Sequence, residues 1–81
     1  MKILVTGGAG YVGTTLVPRL LSKGYKVRVL DNLMFGGDGL IPCFADPNFE
    51  FVRGDILNEA LVKKSLQDVE MVIHLAAIVG Y

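Results

Sequence analysis

The chain has 81 residues, 52% of them hydrophobic, with eight basic and eight acidic side chains and zero formal net charge. That composition excludes a disordered segment and offers no basic excess for nucleic acid or an anionic membrane, so neither is expected as a partner. One cysteine excludes an internal disulfide framework or a cysteine-rich metal site, and no apolar run approaches the roughly 20 residues of a membrane span or the length of a signal peptide. The expected location is cytoplasmic.

In chain order, Ile3-Leu4-Val5 reads as a first strand, apolar on both faces as a parallel strand covered by helices should be. It runs into a glycine-dense turn in which Gly8-x-Gly10-x-x-Gly13 and Gly7-x-x-Gly10-x-x-Gly13 both fit the dinucleotide fingerprint. Such glycines serve a tight turn, close approach of backbone to a pyrophosphate, and helix–strand packing, with helix-start amides facing the phosphates. Alone, that pattern is weak evidence. From Tyr11 to Lys23 the positions Val12, Leu16, Val17, Leu20 and Leu21 recur at helical spacing as one buried stripe, and Gly24 is the expected C′ residue. Pro18 inside this segment removes one amide at a cost of roughly 3 kcal/mol, which predicts a bend or loosened turn.

Tyr25 to Leu30 is the second predicted strand, closed by Asp31, with Arg28 expected at an exposed or partly covered position. Residues 32–48 hold both remaining prolines and no sustained period, and read as a long loop with room for a helical turn. Phe49 to Val52 reads as a third short strand. Asn58 is the expected N-cap of a helix to about Gln67, with Leu61, Val62, Leu66 and Val69 as its stripe. Met71 to Leu75 is a fourth strand, expected to be an uncovered edge with Ile73 exposed nearby. The order β-α-β-loop-β-α-β predicts an α/β fold, a Rossmann-type parallel sheet with flanking helices and right-handed crossovers. The chain stops in apolar sequence, Ile78 to Tyr81, and the expectation is the N-terminal part of a longer domain, incomplete at its C-terminal end.

Asp31 tests the glycines. It lies 18 positions beyond Gly13, close to the spacing of about 20 for an acid that accepts hydrogen bonds from an adenosine ribose. Its carboxylate would repel a 2′-phosphate, and the next residues, Asn32 and Leu33, are uncharged, which favours NAD over NADP. A strand-end turn aspartate is the bland reading. Asp55 and Ile56 follow the third strand, where the carboxylate would accept from an adenine amino group and Ile56 would pack on the ring; Asp55 serves equally as a turn residue before Asn58. The one histidine, His74, has no histidine partner for a metal and is expected to be a structural imidazole held by backbone. Cys43 and Phe35, Phe44 and Phe49 are expected in packing, and no catalytic triad is visible.

With VTGGAGYVG at 5–13, VLDNL at 29–33, GDI at 54–56 and HLAA at 74–77, the chain resembles the extended short-chain dehydrogenases/reductases, specifically the NAD-dependent epimerase/dehydratase group. The resemblance spans the whole chain and implies that Gly7, Gly10, Tyr11 and Val12 line the pyrophosphate of NAD, with Gly13 allowing close helix packing. It further implies Asp31 and Asn32 at the adenosine ribose, Asp55 and Ile56 at the adenine, and Leu75, Ala76 and Ala77 beside the central ribose and phosphate. In that family the Ser/Thr and Tyr-x-x-x-Lys machinery and the substrate domain lie further along the chain. Neither Tyr11 nor Tyr81 has a lysine four residues on, so the segment itself is expected to hold cofactor without catalysing. The implied parent is a homodimeric nucleotide-sugar epimerase or dehydratase. A dehydrogenase/reductase of another small alcohol or ketone, and a non-catalytic NAD-binding or sensing module, stay open at this point.

Overall fold

A computed structural model describes residues 1–7, 11–32 and 38–75, apart from the side chains of Tyr11 and Asp38. Along it run β1 (Lys2–Thr6), α1 (Tyr11–Ser22), β2 (Lys26–Asp31), a 3-10 helix (Asp38–Ala45), β3 (Phe49–Arg53), α2 (Glu59–Ser65) and β4 (Met71–His74). The strands form one sheet in the order β3-β2-β1-β4, and each of its three pairings is parallel. This is the Rossmann-type arrangement the sequence predicts. The chain builds outward from β1 to β3, then returns to the other flank of β1.

Strand alternation sorts the residues onto two faces. Ile3, Val5, Val27 and Val29 share one face and pack with Val17 and Leu21 of α1 and with Leu40 and Cys43 of the 3-10 helix. The apolar stripe predicted for α1 is narrower than expected: Val17 and Leu21 are buried, but Val12, in the first turn, is 56% exposed. The helix continues through Pro18, whose ring is on the solvent side. Burial of Val17 and Leu21 on either side, each contributing about 1.5–3 kcal/mol, offsets the proline's cost of about 3 kcal/mol. Gly24, at φ 89°, ends the helix as expected. Its amide donates to the Leu21 carbonyl at 3.0 Å and the Tyr25 amide donates to Leu20 at 3.2 Å, the paired bonds of a Schellman cap.

The segment read as a loop contains an eight-residue 3-10 helix, more than the single turn anticipated. At three residues per turn Leu40 and Cys43 fall on the same side, and both are buried. Gly39 permits the approach, since a Cβ there would stand 2.5 Å from Cγ2 and 2.9 Å from Cβ of Thr14 on α1.

The opposite face carries Leu4, Arg28 and Leu30 beneath α2. Asn58 caps α2 as predicted, its side-chain oxygen accepting from the Leu61 amide at 3.1 Å. The helix is shorter than predicted, ending at Ser65, and Leu66 is 41% exposed, while the polar Ser65 is the residue buried. Ser65 satisfies its hydroxyl by donating to the Leu61 carbonyl at 2.8 Å.

Arg28 corrects the expectation of an exposed or partly covered strand residue. It is 9% exposed, and its Nη1 donates to the carbonyls of Ser65 at 2.6 Å and Gln67 at 3.1 Å, at the C-terminal end of α2. A cation there satisfies carbonyls that a helix end leaves without partners and matches the negative pole of the dipole. Its Nε also pairs with Glu50 of β3 at 3.1 Å, and Lys2 reaches the same carboxylate at 3.3 Å.

Strand β4 closes one side of the sheet, pairing with β1 alone among the described residues. It is an edge, as expected, but its exposed apolar residues are Met71 at 46% and Val72 at 47%. Ile73 instead packs against the core because it points to the same face as Val5, its register partner.

Replacing Arg28 with Met should lower the stability of the full-length protein by about 2–3 kcal/mol, because charge-assisted bonds to buried carbonyls are lost. Glu50→Gln should cost less than about 1 kcal/mol, since Glu50's side chain is 51% exposed and its pairs are screened. Urea titrations of both variants check the order. Hydrogen bonding from Arg28 holds the Glu50 carboxyl below its ordinary value of 4.5, helped by the charges of Arg28 and Lys2. The Glu50 contribution is therefore fully present above pH 4.5 and lost as pH falls through the lowered folded value, a loss that Glu50→Gln should abolish.

Candidate functional site

Because all the strands are parallel, Thr6, Asp31, Arg53 and His74 end at one edge of the sheet. A cleft opens there, lined by Gly7 from the turn after β1, by Leu30 and Asp31 from β2 and Asn32 just beyond it, and by Gly54, Asp55 and Ile56 after β3. It lies at the carboxyl ends of the strands, the side on which open α/β sheets bind ligands.

Gly7 has φ 75°, a left-handed conformation that a Cβ would strain, and its amide donates to the Leu30 carbonyl at 2.9 Å. The chain therefore turns away from β1 while still bound to β2. On the other flank the Leu75 amide donates to the Thr6 carbonyl at 2.8 Å, extending the β1–β4 ladder. The order of the chain reverses between these two strands, which makes this the topological switch point.

After β3 the Gly54 amide donates to the Asp31 carbonyl at 3.0 Å, tying the two walls of the cleft together. A Cβ on Gly54 would lie 2.0 Å from Cδ2 of Leu61, so a glycine here lets α2 settle onto the turn. Asp55 makes that turn: its Oδ1 accepts from the Leu57 amide at 2.9 Å and its carbonyl from the Asn58 amide at 3.0 Å. The turn role anticipated for Asp55 is thus present, and Oδ2 of the same carboxylate has no hydrogen bond among the described residues. Ile56 is half-buried in the wall beside it.

The fold thus gathers Gly7, Asp31, Asn32, Asp55 and Ile56, separated by up to 49 positions in the chain, into one cleft. Gly13 is buried within α1. Val12 is exposed at the start of α1. Leu75 turns its side chain against the core, leaving its backbone at the edge. Gly10, Ala76, Ala77 and the side chain of Tyr11 lie outside the described residues. Gly54 stands inside the GDI motif but has no role assigned by the sequence; its signal is a residue without Cβ in the turn that leads into the Asn58 cap, where Leu61 closes over it. Arg53, the register partner of Asp31, had no local signal at all.

His74 is held, but by a side chain rather than by backbone. Its Nδ1 pairs with Oγ1 of Thr6, joining the carboxyl ends of β4 and β1. No group of three His, Cys, Asp or Glu residues that could hold a metal is assembled among the described residues. No helix among them is long and apolar enough to cross a membrane. Cys43 packs as expected at 5% exposure, and burial, followed by the nearby Asp46 charge, pushes its thiol above the usual value. That environment disfavours the thiolate a nucleophile needs. Phe44 covers Phe49 and Phe51 with ring centroids 5.4 and 6.1 Å apart, but is itself 58% exposed, and Phe35 lies outside the described residues.

Residues 3–81 match the family model described as the NAD dependent epimerase/dehydratase family. The dTDP-glucose 4,6-dehydratase of Actinoplanes sp. is 43% identical over 86 residues, covering 95% of this chain and 27% of the relative. The UDP-glucose 4-epimerase of Klebsiella pneumoniae is 40% identical over 83 residues, covering 96% of this chain and 60% of the relative. Among solved structures, dTDP-glucose 4,6-dehydratase from Bacillus anthracis in complex with NAD superimposes with a TM-score of 0.87 at 34% identity. The match covers 94% of this chain and 26% of that one. The chain thus spans about a quarter of the length of both dehydratases.

The burial of Cys43 sets an expectation for its chemistry. At neutral pH the native protein should leave Cys43 unmodified by an aromatic disulfide reagent for hours, and denaturant should expose it to complete reaction within minutes. Peptide mapping by mass spectrometry checks the position.

Proposed function

The chain belongs to the NAD dependent epimerase/dehydratase family, and from that premise we propose that residues 1–81 are the N-terminal part of an NAD-binding Rossmann domain. The whole protein is proposed to be a cytoplasmic, homodimeric enzyme that epimerises or dehydrates a nucleotide sugar. The observation that carries this reading is the cleft at the carboxyl edge, with Asp31 at the end of β2 facing the Asp55–Ile56 turn across it.

The residues fit the adenosine end chemically. Asp31 accepts from the ribose hydroxyls, with Asn32 beside it; the second oxygen of Asp55 accepts from the adenine amino group, and Ile56 offers an apolar surface to the ring. Gly7, Gly10, Tyr11 and Val12 present backbone to the pyrophosphate, and the start of α1 adds the favourable pole of its dipole. Gly13 keeps α1 close to the sheet. Leu75, Ala76 and Ala77 are assigned to the central part of the cofactor. NAD, when bound, supplies the capacity to take a hydride from a sugar carbon and give it back. The 81 residues contribute binding and orientation, and turnover by them alone is not expected.

Calorimetric titration of the full-length protein should show NAD binding more tightly than NADP, because the Asp31 carboxylate repels a 2′-phosphate. Asp31→Ala should weaken NAD by about tenfold or more, the equivalent of one charge-assisted hydrogen bond or two. Equal or tighter binding of NADP by the unaltered protein would overturn the assignment of Asp31.

A further inference from the structure

By sequence, no cation adjoins Asp31. In the sheet one does. Arg53 is the register partner of Asp31 on the neighbouring strand β3. Register partners of parallel strands stand about 4.8 Å apart and project to the same face. Both residues sit at the carboxyl edge; Asp31 lines the cleft, and Arg53 directly precedes Gly54 of its opposite wall. Arg53 is exposed and its side chain makes no hydrogen bond or ion pair with the described residues, so its guanidinium is not committed to the fold. Arg28, the other arginine of the sheet, is by contrast buried against the end of α2.

We propose that Arg53 is a specificity residue for the cofactor: with Asp31 it forms a charge pair of opposed preferences, in which Asp31 rejects a 2′-phosphate and Arg53 accepts one. The proposal rests on the reading that the adenosine ribose lies at Asp31, and deepens it. The 2′-phosphate of NADP is attached to that same ribose, and an arginine near this position suits it through paired charge-assisted hydrogen bonds. In the unaltered protein the carboxylate is the nearer charge to the ribose and dominates. Neutralising it should unmask the cation one strand away.

The test compares the ratio of NADP to NAD affinity in the full-length protein, Asp31→Asn, and the double variants Asp31→Asn/Arg53→Gln and Asp31→Asn/Arg53→Met, by calorimetric titration. A ratio is used so that a general loss of folded protein cancels. Asp31→Asn should raise the ratio by about tenfold or more, and removing Arg53 as well should erase most of that gain. The gain should also shrink as salt is raised. An equal ratio in Asp31→Asn and both double variants would overturn the role of Arg53 while NAD binding by the unaltered protein upheld the site. Failure of the unaltered protein to bind either dinucleotide would overturn both the role and the site.

Discussion

All four strands run in one direction, and the rest of the molecule follows from that constraint. A parallel pair cannot be joined by a tight hairpin, so each connection must travel back across a face of the sheet. The return from β1 to β2 uses α1, the return from β2 to β3 uses the 3-10 helix, and the return from β3 to β4 uses α2 on the opposite face. Both faces of the central strands are thereby enclosed, and Ile3, Leu4 and Val5 are 2%, 1% and 0% exposed. The same constraint brings every strand end to one edge, so Gly7, Asp31 and Asp55 meet although nothing local connects them.

The enclosed faces have different chemistry. One is a hydrocarbon core closed by α1 and the 3-10 helix. The other contains a buried guanidinium whose Nη1 donates to carbonyls within the last turn of α2 and just beyond it, while its other nitrogens reach Glu50. Arg28 thus anchors the far end of α2, while contact between Leu61 and Gly54 seats its near end on the cleft wall. The turn carrying Asp55 and Ile56 is held between those two supports.

What could be read from the sequence was what short-range pattern encodes. The apolar run of β1, the period of α1, the Gly24 cap and the Asn58 cap each sit within a few residues of their cause. The acid at the end of β2 was legible because its distance from the glycines is set by one helix and one strand. The 3-10 helix was hidden because Leu40 and Cys43 offer only one repeat at a spacing of three, with Pro42 between them. Arg28 was misjudged for a related reason: its carbonyl partners arrive 37 and 39 residues later, and a lone charge in an alternating strand resembles a solvated one. The pairing of Asp31 with Arg53 depends on sheet register, which no window along the chain contains.

The position of β4 has a kinetic side. Its partner β1 is separated from it by most of the chain, the Thr6–His74 contact spanning 68 positions. Once β2 has docked, β1 waits with its other flank bare until the later strand emerges. At a synthesis rate of about 5–20 residues per second that delay lasts several seconds, far longer than the microseconds in which local helices form. The nascent chain therefore passes through a stage in which a strand whose Ile3, Leu4 and Val5 end almost fully buried presents an unpaired ladder to its surroundings, and in the cell that interval is when a chaperone has most to protect.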